Sequence, residues 1–151
     1  MEYLATTSAA ARRSADCVVV GVYERGTTGI AAAEIDKASD GQIRALIKSG
    51  DVTGALGSCR VLNNVKGVKA RRVAVVGLGK ISKFGVEQFR AATAAAANAV
   101  KGSKSKDFLS YLTLEDADGA SVYYLARHTV ETVGDCLYVF NEMKSGKRKA
   151  S

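Results

Sequence analysis

Apolar residues in this chain fall into short blocks, and the spacing within each block predicts a different element. "DCVVVGV" (16–22) is a continuous valine-rich run, the pattern of a strand buried on both faces. "SCRVLNNV" (58–65) and "RRVAVVGL" (71–78) read as two more strands, and the link "KGVKA" between them is short enough to make them antiparallel neighbours. "DFLSYLTL" (107–114) predicts a further strand, and "EYLATTSAA" (2–10) is a candidate edge strand.

Between these blocks the period lengthens. In "SDGQIRALIKSG" (39–50), Ile43, Leu46 and Ile47 share one helical face, Ser39 and Gln42 have capping-box spacing, and Gly50 is placed to stop the helix. From about Gly85 to Val100, the residues Val86, Phe89, Thr93, Ala96 and Val100 recur every three or four positions, among many helix-favouring alanines. Val122, Ala126, Thr129, Val133, Cys136, Phe140 and Met143 continue the same rhythm and predict a long last helix. "YERGTTG" breaks the chain after the first strand, and the regular structure of the following "IAAAEIDKA" stays open. Strands alternating with helices imply an α/β fold, a three-layer αβα sandwich. The antiparallel pair makes its central sheet mixed.

Length and composition fit this picture. The chain has 151 residues, 47% of them apolar, which suits one domain with its own core. No apolar run approaches the ~18–20 residues of a membrane helix. Arg12 and Arg13 follow a small-residue run instead of preceding an apolar one, so no signal peptide is expected and the expected location is cytoplasmic. Cys17, Cys59 and Cys136 are far apart and form no C-x-x-C pair. Disulfides or a thiolate metal site are therefore poor readings, and Cys17 and Cys136 are expected to be small buried hydrophobes.

The net charge of +7 is unevenly distributed. Residues 60–106 carry 11 basic side chains against Glu87 alone. If the strand at 72–78, the helix at 85–100 and the strand at 107–112 form a crossover with parallel strands, the helix returns its carboxy-terminal end to where both strands begin. Lys66, Lys69, Arg71 and Arg72 would then gather with Lys101, Lys104 and Lys106 along one edge, and Lys80 and Lys83 would lie at the other. The plainer reading is a solvated rim that aids solubility; the functional one is a contact to the nucleic-acid phosphate backbone with little base specificity.

Other candidate chemistry is sparse. "VVGLGKISKFG" (75–85) has the strand–glycine–helix layout of a dinucleotide site, but Ser82 stands at the third glycine position, and residues 88–106 contain no carboxylate for the ribose. A tight turn using glycine's backbone freedom is the stronger reading. His128, the single histidine, has no second imidazole one turn away and reads as a helix-surface residue. Glu115, Asp116 and Asp118 in "LEDADG" read as a solvated loop whose charge favours the dipole of the following helix. No nucleophile and base are assembled by spacing.

"DCVVVGV", "EIDKASDGQIRALIKSGDVTGALG", "RVLNNVKGVKARRVAVVGLGK" and "VEQFRAAT" occur in this order. Together they resemble the amino-terminal domain of bacterial leucyl aminopeptidases, the cytosol aminopeptidase family, over about residues 2–143. The resemblance implies a macro-domain-like sandwich at 1–143, a basic linker or tail at 144–151, and a larger catalytic domain absent from this sequence. It further implies a parent that removes amino-terminal residues from peptides with two bridged divalent ions (zinc, manganese or magnesium) and assembles as a hexamer. The metal ligands, catalytic lysine and catalytic arginine of that family surround an N-T-D-A-E-G-R signature that this sequence lacks. No catalytic, metal or cofactor residue is therefore assigned here, and the chain alone is not expected to be an enzyme. Lys66 stands where many relatives have proline, and Ala55 where they often have lysine; both are loop positions. The resemblance makes an accessory domain the leading reading, supporting assembly or access to the active site. The alternatives are a nucleic-acid-binding module using the basic edge, as in some bacterial members, and a nucleotide binder of the ADP-ribose type, by analogy with macro domains proper.

Overall fold

The computed structural model describes residues 16–103, 109–112, 115–121 and 124–125. Strand β1 (Cys17–Tyr23) leads through a short 3-10 turn (Glu24–Gly26) to helices α1 (Ile30–Ala38) and α2 (Gln42–Ser49). Strands β2 (Cys59–Asn63) and β3 (Arg72–Gly79) follow, then a second 3-10 turn (Ile81–Lys83), helix α3 (Val86–Gly102) and strand β4 (Leu109–Ser110). The expected strand at 2–10, the tail at 144–151 and nearly all of the last helix lie outside the described residues.

The sheet order is β2-β3-β1-β4, with β2 antiparallel to β3 and the other pairs parallel. This is the mixed sheet that the spacing predicts. β1 lies between β3 and β4, and its seven residues are all buried. Because helices cover both faces of an inner strand, its sequence is continuously apolar instead of alternating. β2 pairs with β3 alone among the described strands, and its burial is partial along its length.

The two faces of the sheet have separate cores. On one, Val18, Val20 and Val22 of β1 and Val73 and Val75 of β3 meet Ala31, Ala32 and Ile35 of α1 and Ile43 of α2. On the other, Val19, Tyr23, Ala74, Val76 and Leu78 meet Phe89, Ala92, Ala96, Ala97 and Val100 of α3. Layers of helix, sheet and helix thus make the three-layer sandwich. Gly21 has no side chain to offer the second core, and the Leu78 side chain fills that space.

One expectation about helices needs correction. Ser39 does not cap α2: its hydroxyl donates back to the carbonyls of Ile35 (2.8 Å) and Asp36 (3.3 Å), closing α1. Only three residues separate the two helices, so Ser39 still belongs to the first. Gly41, at φ 87°, takes the N-cap position, and the Asp36 carboxylate does the capping. It accepts the Arg44 backbone N–H (2.9 Å) with one oxygen and the Arg44 Nε–H (2.8 Å) with the other. Gly50 does stop α2, at φ 89°. The open segment "IAAAEIDKA" is helix α1. Of the expected last helix, the described Leu125 is buried and Tyr124 is exposed; Val122 and Ala126, assigned to the apolar stripe, fall outside the described residues.

Candidate functional site

Parallel strands give this sheet two chemically different edges, one where β1, β3 and β4 begin and one where β1 and β3 end. At the starting edge, Lys69 and Arg71 are exposed just before β3. Arg72 opens β3, half-buried, opposite Cys17 of β1 and Asn63 of β2, and its N–H donates to the Asp16 carbonyl (3.0 Å). Lys66 is exposed in the β2–β3 link, with its ammonium 3.4 Å from the Asp40 carboxylate. That is a weak surface pair. Lys101 is exposed in the last turn of α3. Since β1 lies between β3 and β4, those two strand starts are about 10 Å apart. Lys104 and Lys106 lie outside the described residues.

The glycine turn sits at the other edge. Gly77 and Gly79 end β3, and the 54–58 connection runs directly over them. Gly57 N–H donates to the Gly77 carbonyl (3.2 Å), Gly77 N–H to the Ser58 carbonyl (2.7 Å), and Gly79 N–H to the Gly54 carbonyl (2.9 Å). A Cβ at Gly77 would collide with the Ala55 carbonyl oxygen. Gly79 has φ 80°, which L-residues rarely adopt. These glycines therefore admit the chain's own backbone at the place where a dinucleotide fold would admit a pyrophosphate.

Beneath this edge lies a buried polar group that the sequence pattern hides. Glu115 does not sit in a solvated loop, as its acidic neighbours suggest; only 7% of it is exposed. One carboxylate oxygen accepts the Tyr23 hydroxyl (2.8 Å), and the other accepts the Ile30 backbone N–H at the first turn of α1 (2.7 Å). The carboxylate serves the amino-terminus of α1. Gly29 makes the approach possible, since a Cβ there would press on the Glu115 carboxylate and the Gly21 carbonyl. Tyr23 also stacks edge-on against Phe84, with ring centroids 5.6 Å apart. Burial pushes the Glu115 carboxyl above its ordinary range, opposed by the two hydrogen bonds. Burial and the adjoining carboxylate push the Tyr23 phenol upward as well.

The chemical reach of these groups is limited. Glu115 is engaged by the fold, Asp116 accepts the Gly119 N–H (2.9 Å), and Asp118 is exposed. This donor set does not fit a bridged pair of divalent ions, and among the described residues no three His, Cys, Asp or Glu side chains come together as ligands. Cys17 is fully buried, and burial raises its thiol to about 12; Cys59 is half-buried and raised to about 11. Neither is poised as a thiolate. Cys136 and His128 lie outside the described residues. No described helix is long and apolar enough to cross a membrane.

Comparison with known proteins agrees with the sandwich. The model of the cytosol aminopeptidase family, N-terminal domain, matches residues 19–147. A probable cytosol aminopeptidase of Pasteurella multocida is 36% identical over 130 residues, covering 86% of this chain and 26% of that protein. The chain thus spans about a quarter of that relative's length. Among solved structures, a mutant of tomato leucine aminopeptidase superposes with a TM-score of 0.60 at 16% identity, over 90% of this chain and 31% of that one. The macrodomain of Thermus aquaticus DarG superposes at 0.63 with 13% identity, over 85% and 89% of the two chains. At these identities the two structures show the fold, which is macro-domain-like.

Proposed function

Because the chain belongs to the cytosol aminopeptidase family as its N-terminal domain, we propose that it is the non-catalytic accessory part of a metal-dependent leucyl aminopeptidase. It would support subunit assembly or access to the active site of the longer enzyme. The carrying observation is the family match over residues 19–147 in a chain that spans only 26% of its Pasteurella relative. The engagement of Glu115 by Tyr23 and Ile30 agrees with this role, since that buried carboxylate already serves the fold. The peptidase chemistry and its two divalent ions would belong to the remainder of the enzyme. The test is direct: the purified 151-residue chain is assayed for leucine release from leucyl amides and leucyl peptides, with added manganese or zinc. No turnover is expected. Metal-dependent turnover that co-purifies with the chain and vanishes on a point substitution in it would overturn the reading.

A second reading, nucleic-acid contact, would use Lys66, Lys69, Arg71 and Arg72 before and at the start of β3 together with Lys101 of the last turn of α3. Phosphates would be held there by charge, without base recognition.

A further inference from the structure

The sheet order β2-β3-β1-β4 leaves β2 at one end, paired among the described strands with β3 alone. Its register with β3 runs without a break from Cys59 opposite Val76 to Asn63 opposite Arg72. Two flanking bonds fix which backbone groups point inward. The Gly77 N–H donates to the Ser58 carbonyl (2.7 Å), and the Asn64 N–H donates to the Arg71 carbonyl (2.9 Å). Antiparallel bonding alternates along a strand, so Ser58, Arg60, Leu62 and Asn64 turn their backbone groups toward β3. Cys59, Val61 and Asn63 turn theirs outward.

Exposed strand edges are usually blunted by proline, a bulge or lysine. β2 has none of these: the chain contains no proline, the register is continuous, and Arg60 is the strand's one charge. Arg60 and Asn63 are exposed, while Cys59, Val61 and Leu62 are half-buried, which leaves apolar surface along the strand that the core does not cover. Charge also differs between its two ends. The exposed Asp51 lines a small recess with Cys59 and Arg60 at the start, and the exposed Lys69 and Arg71 lie in the link that leaves the other end.

We infer that β2 pairs with β2 of a second copy of this chain, antiparallel and about a two-fold axis at Val61, joining two sheets into one. In that register Val61 meets Val61, and Cys59 of each copy meets Asn63 of the other, so every outward N–H and C=O of the strand gains a partner. Arg60 of each copy lies opposite Leu62 of the other, where its aliphatic stem can cover the leucine. Centring the pair on Arg60 would set like charges directly opposite and leave Asn63 unmatched. Antiparallel pairing also brings Asp51 of one copy to the same end as Lys69 and Arg71 of the other, whereas parallel pairing would collect the cations. A five-residue strand gives a contact smaller than the about 1,200 Å² of stable complexes. The dimer is therefore weak and reversible, with a Kd of about 10–500 µM. The pairing follows from the strand itself and does not rest on the accessory role proposed above.

The test is sedimentation of the 151-residue chain from about 10 µM to about 1 mM, where a monomer–dimer equilibrium is expected. Val61→Pro removes the central outward N–H but none that reaches β3, and should raise the Kd about tenfold or more. Arg90→Ala, on the exposed face of α3, should change it less than about twofold. Cross-linking reads the register separately. In a Cys136→Ser background, Asn63→Cys should form a disulfide with Cys59 of the second copy under mild oxidation. The α-carbons of a hydrogen-bonded antiparallel pair lie about 5.5 Å apart, within disulfide reach. Arg60→Cys, which meets Leu62 in this pairing, should not cross-link. Circular dichroism checks that Val61→Pro folds; if it does not, the cross-link decides. A monomer across the whole range, a dimer insensitive to Val61→Pro, equal cross-linking by both cysteine variants, or open-ended oligomers would each overturn the inference. Leucine release by the chain would overturn the accessory reading and leave the pairing standing, so the two are tested apart.

Discussion

Glu115 ties three separate pieces of chain together through two oxygen atoms. It joins the end of β1 through Tyr23, the start of α1 through Ile30, and its own loop. Glu115→Ala leaves a buried hydroxyl and a helix amino-terminal N–H without their acceptor, and we expect a loss of about 2–4 kcal/mol. Glu115→Gln should cost about 1 kcal/mol or less, because an amide can accept from Ile30 and donate to the Tyr23 oxygen. The two forms also differ in pH dependence. The folded-state carboxyl is raised above its ordinary value of 4.5, so its contribution to stability is full below that value and is lost as pH rises through the folded value. The stability of Glu115→Gln relative to the parent should therefore grow as pH rises through that window. Urea melts at several pH values measure it, and a difference that stays flat or reverses would mean that the carboxyl is not raised.

Helix α3 shows what a periodic pattern delivers. Phe89, Thr93, Ala96 and Val100 of the expected stripe are buried against the sheet, with Ala92 and Ala97 widening it; Val86, at the first turn, is half-buried. Small alanines let the helix pack closely on β3 and β2, so Phe89 supplies the largest fully buried side chain on this face. Phe89→Ala should cost about 3–5 kcal/mol in denaturant melts, and Arg90→Ala, on the exposed face, less than about 0.5 kcal/mol. Comparable small costs for both would mean that the helix packs loosely. Short-range signals served less well at the α1–α2 junction. The spacing of Ser39 and Gln42 fits a capping box, but the preceding helix ends so close that its carbonyls claim the Ser39 hydroxyl.

At the scale of the molecule, charge is sorted between two edges of one sheet. The nucleic-acid reading of the starting edge makes a quantitative demand. If about four phosphates are neutralised there, log affinity for duplex DNA should fall with log salt at a slope of roughly −3 to −4. Lys69→Glu with Lys101→Glu should weaken that binding, and Lys80→Glu should matter less. Absence of a mobility shift at low salt would leave the rim as a solvated surface that favours solubility.

What the sequence by itself determined is local or compositional. The valine run of β1, the antiparallel pairing of β2 with β3, the stripe of α3 and the stop at Gly50 each follow from a repeat or from one residue's backbone preference. The same motifs in order carry the family resemblance, which the match over residues 19–147 establishes. Tertiary structure decided the rest, because it depends on pieces far apart in the chain. Whether Gly77 faces a ligand or a loop depends on where residues 54–58 fold back. Glu115 reads as solvated beside Asp116 and Asp118 until Tyr23, 92 positions earlier, is brought against it. Side-chain periodicity encodes which face is apolar; it carries no record of which distant backbone or charge will meet that face.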